Sequence, residues 1–233
     1  MFFDYYYLVL ILPAMIFAFW ASARVNSTFK KYSQMGTARG LTGRDAAAAV
    51  LRQNGITDVR IESVAGNLTD HYDPRTKVIR LSDSVYGSTS AAAIGVAAHE
   101  AGHAVQHNQE YTPLTLRNAI IPVTNIGSKL AMPLLIIGIF LSYYAEKYLL
   151  IAYLGVICFS LSALFQLLTL PTEFNASKRA LEAIEAGGIL MKDELPGAKK
   201  VLSAAALTYV AALAVSIMQL LRLLIILGNR RRD

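Results

Sequence analysis

Cysteine is nearly absent. The 233-residue chain has one, Cys158, inside an apolar stretch, which excludes an intramolecular disulfide and a cysteine-based zinc knuckle. A lone thiol in that setting reads as a small core or lipid-facing residue. Charge is also scarce. Charged residues make up 16% of the chain against 55% hydrophobic, and mean hydropathy is +0.42. A soluble domain of this size is normally charged at about one residue in four, so the composition points to a small polar domain plus membrane helices. The net charge of +6 comes without a basic stripe interleaved with aromatics, and three arginines fall in the tail "GNRRRD". Nucleic acid is therefore not expected as a partner; the excess reports membrane topology and contact with anionic lipid. There is no internal repeat and no low-complexity segment.

What the chain does have is four long apolar stretches. The first, Tyr5 to Ala23, has about 19 uncharged residues, enough for roughly 30 Å of hydrocarbon. Tyr5, Tyr6 and Tyr7 at one end and Trp20 at the other suit the two interfacial belts. A signal peptide needs a basic segment before its apolar core, whereas here Asp4 comes before and Arg24, Lys30 and Lys31 after, so an uncleaved anchor is expected. The second stretch (Ala119 to Tyr144) and the third (Tyr148 to Leu170) are separated only by "AEK" and read as a helical hairpin. Pro122, Asn125, Lys129 and Pro133 interrupt the second, so its first turns lie outside the bilayer or line a cavity. The fourth, Ser203 to Leu227, contains Gln219 and Arg222. It is either a span with a buried arginine near one end or a partly interfacial helix.

Between the first two spans, residues 24–117 carry 11 Lys/Arg against 8 Asp/Glu, whereas no basic residue precedes the first span. The positive-inside rule puts this region in the cytoplasm and the N-terminus outside. The expected organisation is an anchor (1–23), a cytoplasmic region (24–117), a transmembrane hairpin (118–170), a second cytoplasmic segment (171–202), and a last helix with its basic tail (203–233). The tail arginines favour the inner face, against an outward C-terminus. Within the polar region "LTGRDAAAAVLRQNG" reads as a helix, capped by Thr42 with Asp45 three residues on and closed by Gly55. "DVRIESV" (Asp58 to Val64) and "KVIRLS" (Lys77 to Ser82) read as strands, with a turn at "DPRT". A helix from about Thr89 to Asn108 follows.

That last helix carries "HEAGHAVQH" (His99 to His107). Residues four apart on a helix share a face, with β-carbons about 5–6 Å apart, so His99 and His103 can both bind one metal at about 2.0–2.1 Å. Glu100 can reach a metal-bound water, whose pKa zinc lowers to about 7, and take its proton. Gly102 leaves the adjacent surface open, and Ala97, Ala98 and Ala101 allow close packing. The H-E-x-x-H pattern has two free positions and recurs by chance; its placement after a strand adds weight, because an extended substrate can pair along that strand. A catalytic zinc takes three protein ligands and leaves one position open. His107 lies two turns from His99, about 12 Å along the axis, which suits a neighbouring or surface role better than a ligand. A remote candidate is Glu173 in "PTEFNASKRAL", on the same expected side of the membrane, where Pro171 and Thr172 read as a helix start. Ser177, one turn on, can hydrogen-bond a zinc ligand from behind. Glu173 is equally explained as a favourable first-turn acid, and Glu182 and Glu185 compete on the same helix.

"LTDHYDPRTKVIRLSDSVYGSTSAAAIGVAAHEAGHAVQH" together with "PTEFNASKRAL" closely resembles the YugP-like family of bacterial membrane zinc metallopeptidases, over nearly the whole chain. The layout is also similar to HtpX-like gluzincin peptidases, in which a glutamate after a transmembrane hairpin is the third ligand. The resemblance implies a mainly α membrane protein with about four transmembrane helices and a small α+β, zincin-like cytoplasmic domain. It implies His99, His103 and Glu173 as zinc ligands and Glu100 as general base. HtpX-like sequences usually carry an aspartate four residues after that glutamate; this chain has Ser177. Within "DHYDP" the resemblance also makes His71, otherwise a lone histidine before a turn, a donor to the oxyanion or substrate.

The leading expectation is a membrane-anchored zinc endopeptidase of the bacterial cell membrane, its catalytic region cytoplasmic, acting on peptide or protein substrates. Two alternatives are an intramembrane zinc protease, suggested by the apolar "AAAIGVAAHEAGHAV", and a non-catalytic adaptor stabilised by zinc. The first lacks an N-x-x-P or D-G segment in a later span to supply an aspartate ligand. The second has no use for Glu100.

Overall fold

The computed structural model describes residues 4–230; Arg231, Arg232 and Asp233 of the tail, and the first three residues of the expected anchor, lie outside them. Among the described residues the fold is mainly helical with one small sheet. The helices are α1 (Leu12–Ser33), preceded by a π-helical turn at Tyr7–Ile11, α2 (Gly43–Gln53), α3 (Asp83–Tyr86), α4 (Ala91–Asn108), α5 (Thr112–Leu141), α6 (Leu149–Ala186) and α7 (Leu195–Arg230). The strands are β1 (Arg60–Val64), β2 (His71–Asp73) and β3 (Val78–Ser82). The chain divides into two compact units.

Among the described residues, one unit takes 4–20, 116–170 and 209–230. It holds most of the apolar run of four helices, each long and apolar enough to cross a membrane: Tyr7–Ser33, Thr112–Leu141, Glu146–Ala186 and Leu195–Asn229. Its core is thin: Leu135, Leu149, Ala152, Val156, Leu223 and Leu227 join α5, α6 and α7. Small residues let backbones approach; a β-carbon on Gly155 would stand 2.8 Å from the Ala131 carbonyl oxygen. Arg222 is buried and bonds Asp4, Nη2 to Oδ2 at 2.6 Å, with its guanidinium 5.5 Å over the Tyr7 ring. The fourth stretch is thus one helix holding a buried, ion-paired arginine.

The other unit takes residues 21–115 and 171–208. Its core joins Ala46, Val50 and Leu51 of α2, Ile79 and Leu81 of β3, the small residues of α4, and Ala180, Ile184, Ala198 and Leu202. Thr42 and Asp45 form a reciprocal capping box at α2, as their spacing predicts. Gly55 closes the helix at φ +67°, where the Ile56 amide returns to the Leu51 carbonyl. The strand order is β1-β3-β2, β3 being parallel to β1 and antiparallel to β2. The turn before β3 is held by Asp73, which accepts from the Arg75 amide and the Thr76 hydroxyl.

Two expectations about elements are corrected. Pro171 does not start a helix; it sits inside α6, which runs unbroken from Leu149 to Ala186. Proline removes one backbone donor, and burial of Ala176, Ala180 and Ile184 just beyond it keeps the following turns helical. Substrate pairing along residues 78–80 is also excluded, because β1 and β2 occupy both edges of β3 there.

Candidate metal centre

The centre is built where α4 meets α6. The Ser90 hydroxyl accepts the Ala93 amide at the start of α4. Alanine and glycine then let the helix be buried around most of its circumference, as an all-round apolar helix must be. Gly102 does not leave an open surface. A β-carbon there would lie 2.7 Å from the Ala176 backbone oxygen, so its hydrogen is what lets the two helices touch. Flanking that contact are His99, three residues before Gly102, and His103, one after it, with Glu173 three before Ala176 and Ser177 one after it on the other helix.

His99, His103 and Glu173 form the one group of three or more potential ligands among the described residues, each offering a ligand atom within 4.8 Å of the others. Glu173 Oε2 lies 3.2 Å from His99 Nε2 and 3.4 Å from His103 Nε2. The two imidazoles stand nearly perpendicular at 82°, centroids 4.7 Å apart. The Glu173 side chain is 4% exposed. Burial works against an imidazolium at His103, yet the hydrogen bond and charge of Glu173, with the charge of Glu100, outweigh it and raise the pKa above the ordinary histidine value. A divalent cation answers the same demand for positive charge. Tetrahedral ligand atoms about 2.0–2.1 Å from zinc stand about 3.3 Å apart, close to the two measured separations, so the nitrogen and oxygen donor set fits that ion.

The surroundings sort the other candidates. Ser177 Oγ lies 3.1 Å from His99 Nδ1, on the ring side away from Glu173. Glu100 is buried and stands outside the ligand group, near enough to His103 to act on its charge. His107 also stands outside the group; its Nδ1 meets the Tyr72 hydroxyl at 2.8 Å. Burial, then the charges of Asp58 and Asp73, push the Tyr72 pKa up to about 12, so that hydroxyl keeps its proton, and the direction of its bond to His107 follows the imidazole tautomer. His71 is exposed on β2, its Nδ1 2.8 Å from the Thr69 carbonyl. Glu182 and Glu185 are exposed and do not join the group.

One residue of the site escapes a search for ligands. Gln106 is fully buried and lies 3.0 Å through Oε1 from His103 Nδ1, while its Nε2 donates to the Thr172 carbonyl and to Asn175 Oδ1. Its signal in the sequence is the spacing of three from His103, which puts both on one helix face. Asp70 braces the "DHYDP" segment: its carboxylate accepts the Ser82 amide at 2.8 Å and the Ser82 hydroxyl. Burial raises its pKa despite those bonds.

Residues 7–228 match the family described as "Putative neutral zinc metallopeptidase". The protein named "Putative membrane protease YugP" of Bacillus subtilis (strain 168) is 47% identical over 227 residues, covering 97% of this chain and 99% of that protein. No solved structure matches. A match over nearly the full length, the helices that carry His99, His103 and Glu173 included, shows that the chain belongs to this YugP-like zinc metallopeptidase family.

Proposed function

We propose that the chain is a multi-pass membrane zinc endopeptidase, hydrolysing peptide bonds of a peptide or protein substrate with Glu100 as general base. The observation that carries this reading is the convergence of His99, His103 and Glu173 with a non-ligand carboxylate, Glu100, beside them. His99 and His103 supply imidazole nitrogens and Glu173 an oxygen. Zinc held there supplies Lewis-acid polarisation of the scissile carbonyl and lowers the pKa of a water to about 7. Glu100 accepts a proton from the attacking water and returns it to the departing amine nitrogen, so the water ends as hydroxyl on the new acid and hydrogen on the new amine. β2 is an edge strand, paired with β3 alone among the described residues, and an extended substrate would pair along its outer edge. His71 lies on that strand as the candidate oxyanion donor. Its Nδ1–H is committed to Thr69, which leaves Nε2 to face a substrate, and Nε2 donates only when the ring is an imidazolium.

The catalytic region is read as cytoplasmic and the membrane as the bacterial cell membrane, supported by the 11 to 8 basic excess in residues 24–117. Against an intramembrane protease, α4 is not among the four helices long and apolar enough to span. Against a non-catalytic adaptor stands Glu100. Replacing Glu100 by Gln should lower peptide cleavage by at least about 100-fold while bound zinc stays at the wild-type level. Undiminished cleavage would remove Glu100 from the reaction. A wild type that binds zinc but cleaves nothing across a broad peptide library would favour the adaptor.

A further inference from the structure

Gln106 has no part in the proposed reaction, yet it is the largest fully buried polar side chain among the described residues, and each of its side-chain contacts has a fixed polarity. One end lies 2.8 Å from the Thr172 carbonyl oxygen and 2.9 Å from the Asn175 side chain. The Asn175 atom concerned also faces Arg179 Nε at 2.7 Å. Arginine has only donors, so that atom is the Asn175 oxygen. Two acceptors therefore face one end of Gln106, and that end is the NH2. The other end, 3.0 Å from His103 Nδ1, is then the oxygen. An oxygen accepts, so His103 Nδ1 carries a hydrogen and donates it. A neutral imidazole has one N–H, which leaves the lone pair on Nε2, the nitrogen 3.4 Å from Glu173 Oε2.

We propose that Gln106 is a positioning residue of the metal centre: its amide, oriented by Thr172 and by the Arg179–Asn175 pair, holds His103 in the Nδ1–H tautomer with Nε2 free to ligate. This rests on the zinc-site reading of His99, His103 and Glu173. Arg179 is itself anchored, donating from Nη1 to Gln109 Oε1 at 2.6 Å with its guanidinium 5.8 Å over the Tyr111 ring. The polarity thus runs from a group that can only donate, through two amides, to the histidine. His99 is held differently. Its Nδ1 meets the Ser177 hydroxyl, which both donates and accepts and imposes no tautomer.

The test uses the full-length protein in detergent micelles. Zinc dissociation constants are measured by chelator competition for wild type, Gln106→Leu and Gln106→Glu, and the melting of each metal-free protein is recorded. Nitrogen-15 histidine NMR of the zinc-loaded wild type reads which ring nitrogen of His103 carries hydrogen; with four histidines in the chain, single substitutions assign the signals. The expected result is a protonated Nδ1 at His103 and zinc binding about 10–100-fold weaker in Gln106→Leu. Gln106→Glu keeps an acceptor for His103 but sets an oxygen against the Thr172 carbonyl. It should hold zinc nearly as well as wild type while melting lower. Three results overturn the proposal: a hydrogen-free Nδ1 in the loaded wild type, wild-type affinity in Gln106→Leu, or equal loss in both variants, the pattern of a purely structural residue. If Gln106→Leu does not fold, the NMR spectrum and Gln106→Glu still decide. A wild type that binds no zinc overturns the underlying site reading as well, whereas a zinc-binding wild type with unaffected Gln106→Leu overturns this inference alone.

Discussion

Glu100, Glu173 and Gln106 are three polar side chains buried within a few ångströms of the same helix contact, and burial without a partner is costly. Each is kept there by a different demand. Glu173 faces two imidazoles, Gln106 bonds four atoms in fixed directions counting its own backbone carbonyl, which takes the Tyr111 amide, and Glu100 stands beside His103 outside the ligand group. In the proposed reaction a carboxylate in Glu100's position serves a proton transfer, which a closed structural site does not call for. His71 is the weaker partner, being exposed. If it donates to the oxyanion, His71→Ala should lower kcat by about 100-fold with zinc content unchanged. An unaltered kcat would leave His71 as a strand residue bound to the Thr69 carbonyl.

At the scale of elements, the contact between α4 and α6 decides whether His99, His103 and Glu173 meet. Gly102→Ala would press a methyl against the Ala176 backbone oxygen, which cannot rotate away. The expected outcome is a loss of about 1–3 kcal/mol and weaker zinc retention, read by melting and by metal content after dialysis. At α2, Thr42→Ala should cost about 1 kcal/mol at neutral pH. The pH dependence has a definite sign. The Thr42 side-chain hydrogen bond, then its backbone bond, lower the Asp45 pKa, so this stability is present above the unfolded carboxyl value of about 3.9. It is lost as pH falls through the lower folded value, and the gap between variant and wild type should close in acid. Much of this layer was legible in the sequence. The capping box, the Gly55 stop, two strands and the H-E-x-x-H helix follow from local chemistry that the fold leaves in force. The three-residue β2 is too short to show a period of two. Pro171 looked like a boundary because proline disfavours a helix interior, and only packing on both sides overrides it. The spacing of three puts Gln106 on the face of His103, but the α6 carbonyl that orients it, and the α6 backbone that Gly102 meets, lie on another segment and no spacing within α4 carries them.

Across the whole molecule, membrane and chemistry share one chain. The Asp4–Arg222 pair joins the start of the first apolar helix to the last turns of α7; with both helices read as spans, those two ends share one membrane face and α7 crosses completely. Labels at the two termini should therefore react from the same side; labelling from opposite sides would exclude it. Asp4→Asn should lower the melting temperature more than the double change Asp4→Asn with Arg222→Leu, because it leaves the buried Arg222 without its carboxylate, and stranding a buried charge costs more than losing the pair. α6 then carries both the end of the third apolar stretch and Glu173 in one unbroken helix, some seventy residues after the histidines. The most direct measurement is the zinc content of purified protein, wild type against Glu173→Ala, at equal helical content. One zinc per chain in the wild type and little in the variant is expected of a centre made by His99, His103 and Glu173. Full zinc occupancy in Glu173→Ala would contradict it.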